Sequence, residues 1–141
     1  MGGTFDHLHQ GHKYLIQIGL RSSKKLVIGI ISDDLLKNKA YASKIEAYQL
    51  RKANLFAYIS SISSLDRVEI EKLDDIYGSA IYDPEYEAII VSQETYNTAL
   101  KINEIREEKG LKPLLIFVIP LIKDENNKKI SSTEIRKQLN S

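Results

Sequence analysis

The sequence predicts an α/β fold in which helices cover a doubly wound parallel sheet. Two patterns carry this prediction. Apolar runs rich in β-branched residues recur along the chain, as in KLVIGII at residues 25–31, and such runs are typical of strands covered on both faces. Segments with apolar residues at helical spacing separate these runs. Alternating strands and helices form βαβ units with right-handed crossovers, so the sheet is expected to be parallel.

The first half of the chain contains two predicted helices and two predicted strands. GHKYLIQIGLRSS, at residues 11–23, brings apolar side chains near one helical face, and the strand at 25–31 follows. Residues 47–62, AYQLRKANLFAYISSI, again have apolar residues at helical spacing. RVEIEKL, at residues 67–73, alternates between polar and apolar residues, which indicates a half-exposed strand.

The second half repeats the alternation. Its predicted elements are, in order, a strand at EAIIVS (87–92), a long helix within 92–110, a strand within PLLIFVIPL (113–121) and a short helix at SSTEIRKQLN (131–140). Ser92 is the expected N-cap of the long helix. Gly110 is the expected residue just past its C-terminal end.

The start of the chain fits this plan poorly. Gly2 and Gly3 have the character of a strand-to-helix turn, yet only Met1 precedes them. We therefore expect the first strand to be short or missing, or the natural chain to start upstream. The 141 residues are otherwise expected to form one domain, residues 1–141, with a substantial core.

Composition excludes several classes of protein. Twenty basic and nineteen acidic residues leave a net charge of +1, so there is no electrostatic case for a nucleic acid or an anionic membrane as partner. The absence of cysteine excludes disulfides, thiolate zinc sites and cysteine nucleophiles. No apolar run approaches the roughly 20 residues that cross a bilayer, and no secretory leader is recognisable. A cytoplasmic location is expected.

All three histidines, His7, His9 and His12, lie within one stretch, HLHQGH. A metal site shared by the three would require a bent loop and has no supporting ligand spacing, and local hydrogen bonding is a second possibility. A phosphate site uses more of the sequence. Gly11 permits close backbone approach, and His12 falls in the first helical turn, where free N–H groups attract anions. The helix terminus there also disfavours protonation of His12 until a phosphate binds.

The segment KKISSTEIRKQL near the other end of the chain also predicts a helix N-terminus with basic side chains. Ser131 and Glu134 have the spacing of a capping box, and Ile130 and Ile135 that of a hydrophobic staple. Neither motif explains Arg136, because a cation in the first turns of a helix opposes the helix dipole. A bound anion would resolve this conflict. Two helix N-termini, each with a basic side chain, together predict a polyphosphate site.

TFDHLHQGH and ISSTEIR resemble the HxGH and ISSTxxR signatures of the nucleotidyltransferase superfamily. Between them, SDDLLKNK, DDIYGSA, VSQET and INEIREEKGLKPL are similar to the archaeal and eukaryotic type of phosphopantetheine adenylyltransferase. The resemblance implies a Rossmann-like nucleotidyltransferase fold. It also implies transfer of AMP from ATP to 4'-phosphopantetheine, giving dephospho-coenzyme A and pyrophosphate by in-line attack without a covalent intermediate. Mg²⁺ is expected on the ATP oxygens and water rather than on protein ligands.

The resemblance also implies site residues. His12 would stabilise the α-phosphate during the reaction, and Arg136 would neutralise the leaving pyrophosphate. Lys39 would complete the catalytic set, with Lys37 and Lys44 as rivals for its contact with the acceptor's phosphate. The residues expected to bind ATP are Gly3, Thr4, His9, His12, Ser131, Ser132, Thr133 and Arg136. Those expected to bind the acceptor are Thr4, Lys39 and Arg106.

Alternative assignments remain open for several residues. Arg106 would either bind phosphate or pair with acidic neighbours on a solvent-exposed helix face. Arg51 is expected to support helix packing, and Asp6 to organise a buried loop rather than to bind Mg²⁺. Asp75, Tyr77 and Gly78 match the family pattern, but formation of a turn explains them equally well.

Alternative functions also remain open. The closest are another nucleotidyltransferase, such as a nicotinamide mononucleotide adenylyltransferase or a cytidylyltransferase, and a nucleotide-sensing module without catalysis. RTxGxST, typical of cytidylyltransferases, is replaced here by ISSTEIR. The expected partners are ATP and 4'-phosphopantetheine, and the chain is expected to be a monomer.

Overall fold

Strands and helices alternate throughout the computed structural model, which describes residues 1–36 and 44–120. The elements are β1 (Gly2–Gly3), α1 (Gln10–Ser22), β2 (Leu26–Ile31), α2 (Tyr48–Ile62), β3 (Val68–Leu73), β4 (Ala88–Ser92), α3 (Tyr96–Glu108) and β5 (Leu115–Ile119). Short 3₁₀ turns lie at Asp34–Leu36, Leu65–Arg67 and Gly78–Ile81. In this described part of the chain, no helix has the length and apolar character needed to span a bilayer. The helix predicted at 131–140 lies outside the described residues.

Every strand pair within the described residues is parallel, which confirms the predicted α/β class. One sheet has the order β1-β2-β3 and the other pairs β4 with β5. Six residues of β2 are in register with six of β3, from Leu26 opposite Val68 to Ile31 opposite Leu73. Each of these parallel connections passes through a helix, as βαβ units require.

The core lies where α1 and α2 pack on β2. Strand β2 is apolar along its length because both of its faces are covered, as its sequence predicts. Full burial of one aliphatic side chain stabilises the fold by about 1.5–3 kcal/mol. The fully buried aliphatic side chains of this cluster are Ile16, Ile28, Ile30, Leu55 and Ile59.

The glycine pair forms the first strand rather than the turn that was predicted. Gly2 and Gly3 pair with Gly29 and Ile30 of β2, so β1 is short but present. A parallel ladder needs only backbone groups, and two glycines supply these without any apolar signature. The turn follows at Phe5 and His7, whose φ values of 53° and 46° place two non-glycine residues in the left-handed region.

The predicted boundaries of α3 are correct at one end and wrong at the other. Ser92 is the last residue of β4 and is buried, so it does not cap the helix. The helix begins at Tyr96, with Thr95 in the cap position. At the other end, Gly110 has a φ of +78° just past the helix, as predicted.

Gly78 and Gly110 provide a matched pair of substitutions. Both have positive φ, so alanine costs about 1–2 kcal/mol at either position. A Cβ at Gly110 meets nothing within 4 Å, whereas one at Gly78 collides with the Leu73 side chain. We expect Gly78→Ala to lower the free energy of unfolding by about 1–3 kcal/mol more than Gly110→Ala does, since overpacking adds to the backbone strain. Urea unfolding of both variants measures the difference, and equal losses would contradict the collision.

Candidate active site

The N-terminus of α1 is built from two histidines. His9 occupies the N-cap, and its Nδ1 accepts a hydrogen bond of 3.1 Å from the backbone N–H of Gly11. His12, three residues later, accepts one of 3.3 Å at Nδ1 from the backbone N–H of His9. The two side chains thus form a reciprocal capping box. Because each Nδ1 is an acceptor, each neutral ring is assigned its proton on Nε2.

The two imidazoles are stacked. Their ring centroids are 3.8 Å apart and their planes differ by 19°. The ring of Phe5 contacts the His12 ring at a centroid distance of 5.3 Å. Phe5 is itself buried and held in a left-handed conformation, so the strained turn places an apolar wall against His12.

Both histidines are held neutral. Burial, with a smaller contribution from the nearby His9 ring, lowers the pKa of His12 to about 3. Burial also lowers the pKa of His9, against the opposing effect of Asp6 and Glu94. The predicted resistance of His12 to protonation is therefore confirmed, although its main cause is burial rather than the helix terminus. A phosphate beside these rings would favour their charged forms, because opposite charges raise a histidine's pKa.

Nε2 of His9 is buried and has no hydrogen-bond partner among residues 1–36 and 44–120. A buried N–H without a partner costs about 1–3 kcal/mol. An anionic oxygen beside His9 would supply the missing acceptor. This atom is the strongest structural indication that the N-terminus of α1 receives a ligand.

The neutral state of His12 makes stability dependent on pH. Because the pKa is about 6.5 in the unfolded chain and about 3 in the folded one, the unfolded chain binds the additional proton between these values. Above about pH 6.5, the titration of His12 does not reduce the free energy of unfolding. As the pH drops from there towards 3, the free energy of unfolding falls by up to about 1.4 kcal/mol per pH unit because of this group. His12→Gln keeps an acceptor at the N3 position and removes the titration. Urea unfolding between pH 7 and pH 4 should show a smaller acid loss in this variant, and an unchanged slope would contradict the assignment.

Arg51 joins the segments that surround the site. Its side chain is 0% exposed. The guanidinium donates to the carbonyls of Thr4, Ile31 and Glu46 at 3.0, 2.6 and 2.8 Å, and to the Asp33 carboxylate at 2.8 Å. It thereby connects the end of β1, the end of β2 and the segment before α2. The packing role expected for Arg51 is confirmed, and its reach to Thr4 is a feature that sequence did not reveal.

Arg106 has a similar structural role in the second half. It is 1% exposed, so the expectation of a solvent-exposed helix face is wrong. Its guanidinium donates to the carbonyls of Ala80, Asp83 and Lys112. These contacts fix the end of α3 against the loop before β4 and favour a structural role over the predicted contact with the acceptor.

The DDIYGSA loop is held by side chains that accept backbone hydrogen bonds. Asp75 accepts from the N–H groups of Tyr77 and Gly78, both at 2.8 Å, so the turn-forming alternative is confirmed.

A second network links this loop to β3. Ser79 donates its hydroxyl to the Glu71 carboxylate at 2.7 Å, and this hydroxyl also lies 2.7 Å from the Tyr86 hydroxyl. Sequence reasoning missed this second network, because no local spacing links these residues.

The histidines do not form one cluster. His7 is not part of the stacked pair; its Nε2 lies 3.6 Å from the Asp6 carboxylate and 3.2 Å from the Lys44 carbonyl. Its backbone N–H donates to Glu46. A metal site made of all three histidines therefore has no support in the described structure. Asp6 is fully buried and accepts from the Glu46 N–H, which confirms that it organises the loop.

The remaining predicted site residues are distributed as follows. Gly3 lies in β1 and Thr4 directly follows it, so both precede the turn that leads to His9. Lys44 is exposed at the start of the segment before α2. The other predicted residues lie outside the described residues: Lys37, Lys39, Ser131, Ser132, Thr133 and Arg136.

Comparison with known proteins places this arrangement in a family. A profile of the family described as Cytidylyltransferase-like matches residues 1–138. Phosphopantetheine adenylyltransferase of Pyrococcus abyssi is 45% identical over 136 residues, which cover 96% of this chain and 86% of that protein. The Saccharomyces cerevisiae protein of the same name is 39% identical over 146 residues, covering all of this chain and 48% of that protein.

Solved structures agree on the fold. A protein of unknown function from Archaeoglobus fulgidus is 32% identical, with a TM-score of 0.76, over 86% of this chain and 97% of that one. A bifunctional NMN adenylyltransferase/ADP ribose pyrophosphatase from Francisella tularensis, solved with AMP and a Mn ion, is 22% identical. Its TM-score is 0.60, over 98% of this chain and 39% of that one. The chain belongs to the cytidylyltransferase-like family and, within it, to the phosphopantetheine adenylyltransferases.

Proposed function

We propose that this chain transfers AMP from ATP to 4'-phosphopantetheine, giving dephospho-coenzyme A and pyrophosphate in coenzyme A biosynthesis. The observation that carries the proposal is the buried Nε2 of His9, which has no hydrogen-bond partner in the described part of the chain and lies beside the neutral ring of His12 at the N-terminus of α1. Curated relatives of this name, 39–45% identical over nearly the whole chain, support the choice of reaction.

The mechanism needs no covalent intermediate. A phosphate oxygen of the acceptor attacks the α-phosphorus of ATP, the bond to the β-phosphate oxygen breaks, and pyrophosphate leaves with the electron pair. His12 would donate from Nε2 to an α-phosphate oxygen as negative charge develops there, and His9 would donate to the neighbouring phosphates. Such preorganised donors stabilise the transition state without reorganising during the reaction. ATP would enter as its Mg²⁺ complex, with the ion on phosphate oxygens and water.

Other roles remain part of the proposal. Gly3 and Thr4 would face the phosphates from the end of β1, with the Thr4 hydroxyl positioning the acceptor. Lys39 would contact the acceptor's phosphate. Ser131, Ser132, Thr133 and Arg136 would hold the triphosphate, with Arg136 on the leaving pyrophosphate. Arg106 has no place at the acceptor in this proposal, because its described contacts are with backbone carbonyls.

A panel of acceptors tests the reaction. With MgATP present, we expect release of pyrophosphate on addition of 4'-phosphopantetheine and none on addition of nicotinamide mononucleotide. Coupled detection of pyrophosphate measures the rates, and pantetheine without its phosphate is the matched control because it lacks the attacking oxygen. A preference for nicotinamide mononucleotide would replace the proposed acceptor. Binding of ATP without turnover on any acceptor would favour a sensing module.

A further inference from the structure

A second group of chemically active side chains lies beside the stacked histidines. Oxygen or nitrogen atoms of Asp6, His7 and Glu46 all lie within 4.8 Å of one another. The carbonyl oxygen of Lys44 is 3.2 Å from Nε2 of His7. Nε2 of His7 thus lies 3.6 Å from the Asp6 carboxylate, and the Glu46 carboxylate is within 4.8 Å of the imidazole, although the contributing segments are about 40 positions apart in sequence.

The backbone holds these groups in place. The Glu46 N–H donates to Oδ1 of Asp6, and the His7 N–H donates to Oε1 of Glu46, both at 2.8 Å. His7 has a φ of 46°, so its backbone is held in the left-handed region by the surrounding turn. These backbone hydrogen bonds position Asp6, His7 and Glu46 independently of any contact between the imidazole nitrogen and the carboxylate oxygens.

This group is accessible from solvent. A cavity of about 600 Å³ between α1 and α2 is lined by His7 and Glu46, together with Lys13, Asn54 and Tyr58. Asp6 is completely buried behind these residues. An ion entering through the cavity would meet His7 and Glu46 first and the Asp6 carboxylate last.

We propose that Asp6, His7 and Glu46 bind one divalent ion of the zinc type. Zinc binds imidazole nitrogen and carboxylate oxygen at about 2.0–2.2 Å, which places ligand atoms roughly 3–4 Å apart. The separation of 3.6 Å between Nε2 of His7 and Oδ2 of Asp6 already falls in this range, and the three ligand atoms all lie within 4.8 Å of one another. Two carboxylates balance the ionic charge, and the carbonyl oxygen of Lys44 offers a fourth ligand. Imidazole favours zinc, cobalt and similar ions over Mg²⁺, which prefers oxygen ligands and retains its water.

The ion would connect the turn after β1 to the segment that precedes α2. It would act as a structural cross-link, distinct from the Mg²⁺ that accompanies ATP. This assignment departs from the expectation that no residue of the chain binds metal. It is independent of the proposed reaction, because none of its ligands contacts the phosphates in that proposal.

Metal titration of the full chain tests the site. After removal of metal with a chelator, calorimetry with Zn²⁺ and visible absorption with Co²⁺ should each show one ion per chain, and Zn²⁺ should raise the melting temperature. Glu46→Gln keeps an acceptor for the His7 N–H and removes one charged ligand. His7→Asn removes the imidazole with a residue that tolerates positive φ. Each variant should bind the ions at least about tenfold more weakly.

Two control variants separate this site from others. Glu85→Gln changes an exposed carboxylate outside the group, and His9→Gln changes the stacked pair. Both should bind one ion with unchanged affinity. Absence of Zn²⁺ binding by the unmodified chain would overturn the proposal. So would binding that survives Glu46→Gln and His7→Asn, or binding that His9→Gln abolishes.

Discussion

Replacing His12 with alanine is expected to lower turnover roughly a hundredfold or more, the usual effect of removing one preorganised donor. The reason lies in the state of the ring. His12 is stacked on His9, contacts Phe5, and carries its proton on Nε2 because Nδ1 accepts from the His9 N–H. Steady-state rates of pyrophosphate release, with both substrates saturating, measure the loss.

The binding of ATP distinguishes this effect from a collapse of the site. His12→Ala should still bind ATP in calorimetry without the acceptor, because His9 and the N-terminus of α1 remain in place. Tyr14→Ala, an exposed change on the same helix, should leave the rate unchanged. Full activity in His12→Ala would remove this ring from the mechanism, and loss of ATP binding would make it a binding residue only.

Replacing Arg51 with alanine is expected to give the largest loss of stability, about 3–5 kcal/mol. The substitution leaves three carbonyls, those of Thr4, Ile31 and Glu46, without their donor in the interior. The Asp33 contact contributes less, since that side chain is 60% exposed and its charge is screened. Most of the expected loss therefore comes from unpaired backbone groups. Urea unfolding monitored by circular dichroism measures it.

Two further variants serve as references for the loss of stability in Arg51→Ala. Arg51→Lys retains the charge but cannot reach three carbonyls from one planar group, so it should fall between alanine and the natural residue. Arg21→Ala removes an exposed arginine from the last turn of α1 and should cost less than about 1 kcal/mol. A loss in Arg51→Ala as small as that in Arg21→Ala would contradict the role of this residue as a buried connector.

The sequence predicted the elements whose patterns are local. Strand β2 and the helices α1 and α2 were found from apolar runs and helical spacing, which depend only on neighbouring residues. Gly2 and Gly3 predict a turn and not strand β1, because two glycines carry no side-chain pattern and their pairing with β2 is a long-range contact. The prediction of Ser92 as the helix cap is wrong because β4 extends to Ser92. A short turn follows, and Thr95 occupies the cap position of α3.

The site was predictable to the same extent. HxGH placed His9 and His12 on one helix terminus, since the two positions are three residues apart. The contacts of Arg51 and Arg106 could not be predicted, because these side chains donate hydrogen bonds to backbone carbonyls of segments that are distant in sequence. Glu46 was missed for the same reason: it meets Asp6 and His7 from a position about 40 residues away.

The division of the strands into two ladders has a consequence for how the two halves of the fold are joined. Within the described residues, β1-β2-β3 and β4-β5 are separate hydrogen-bonded ladders, so no continuous backbone network joins them. Helix α1 lies against β4 and contributes to the junction instead. A nucleotide bound at the N-terminus of α1, as proposed above, would stabilise the helix that contacts both ladders. Substrate occupancy would then set the folding cooperativity of the whole chain, with the empty protein opening in two stages and the loaded protein in one.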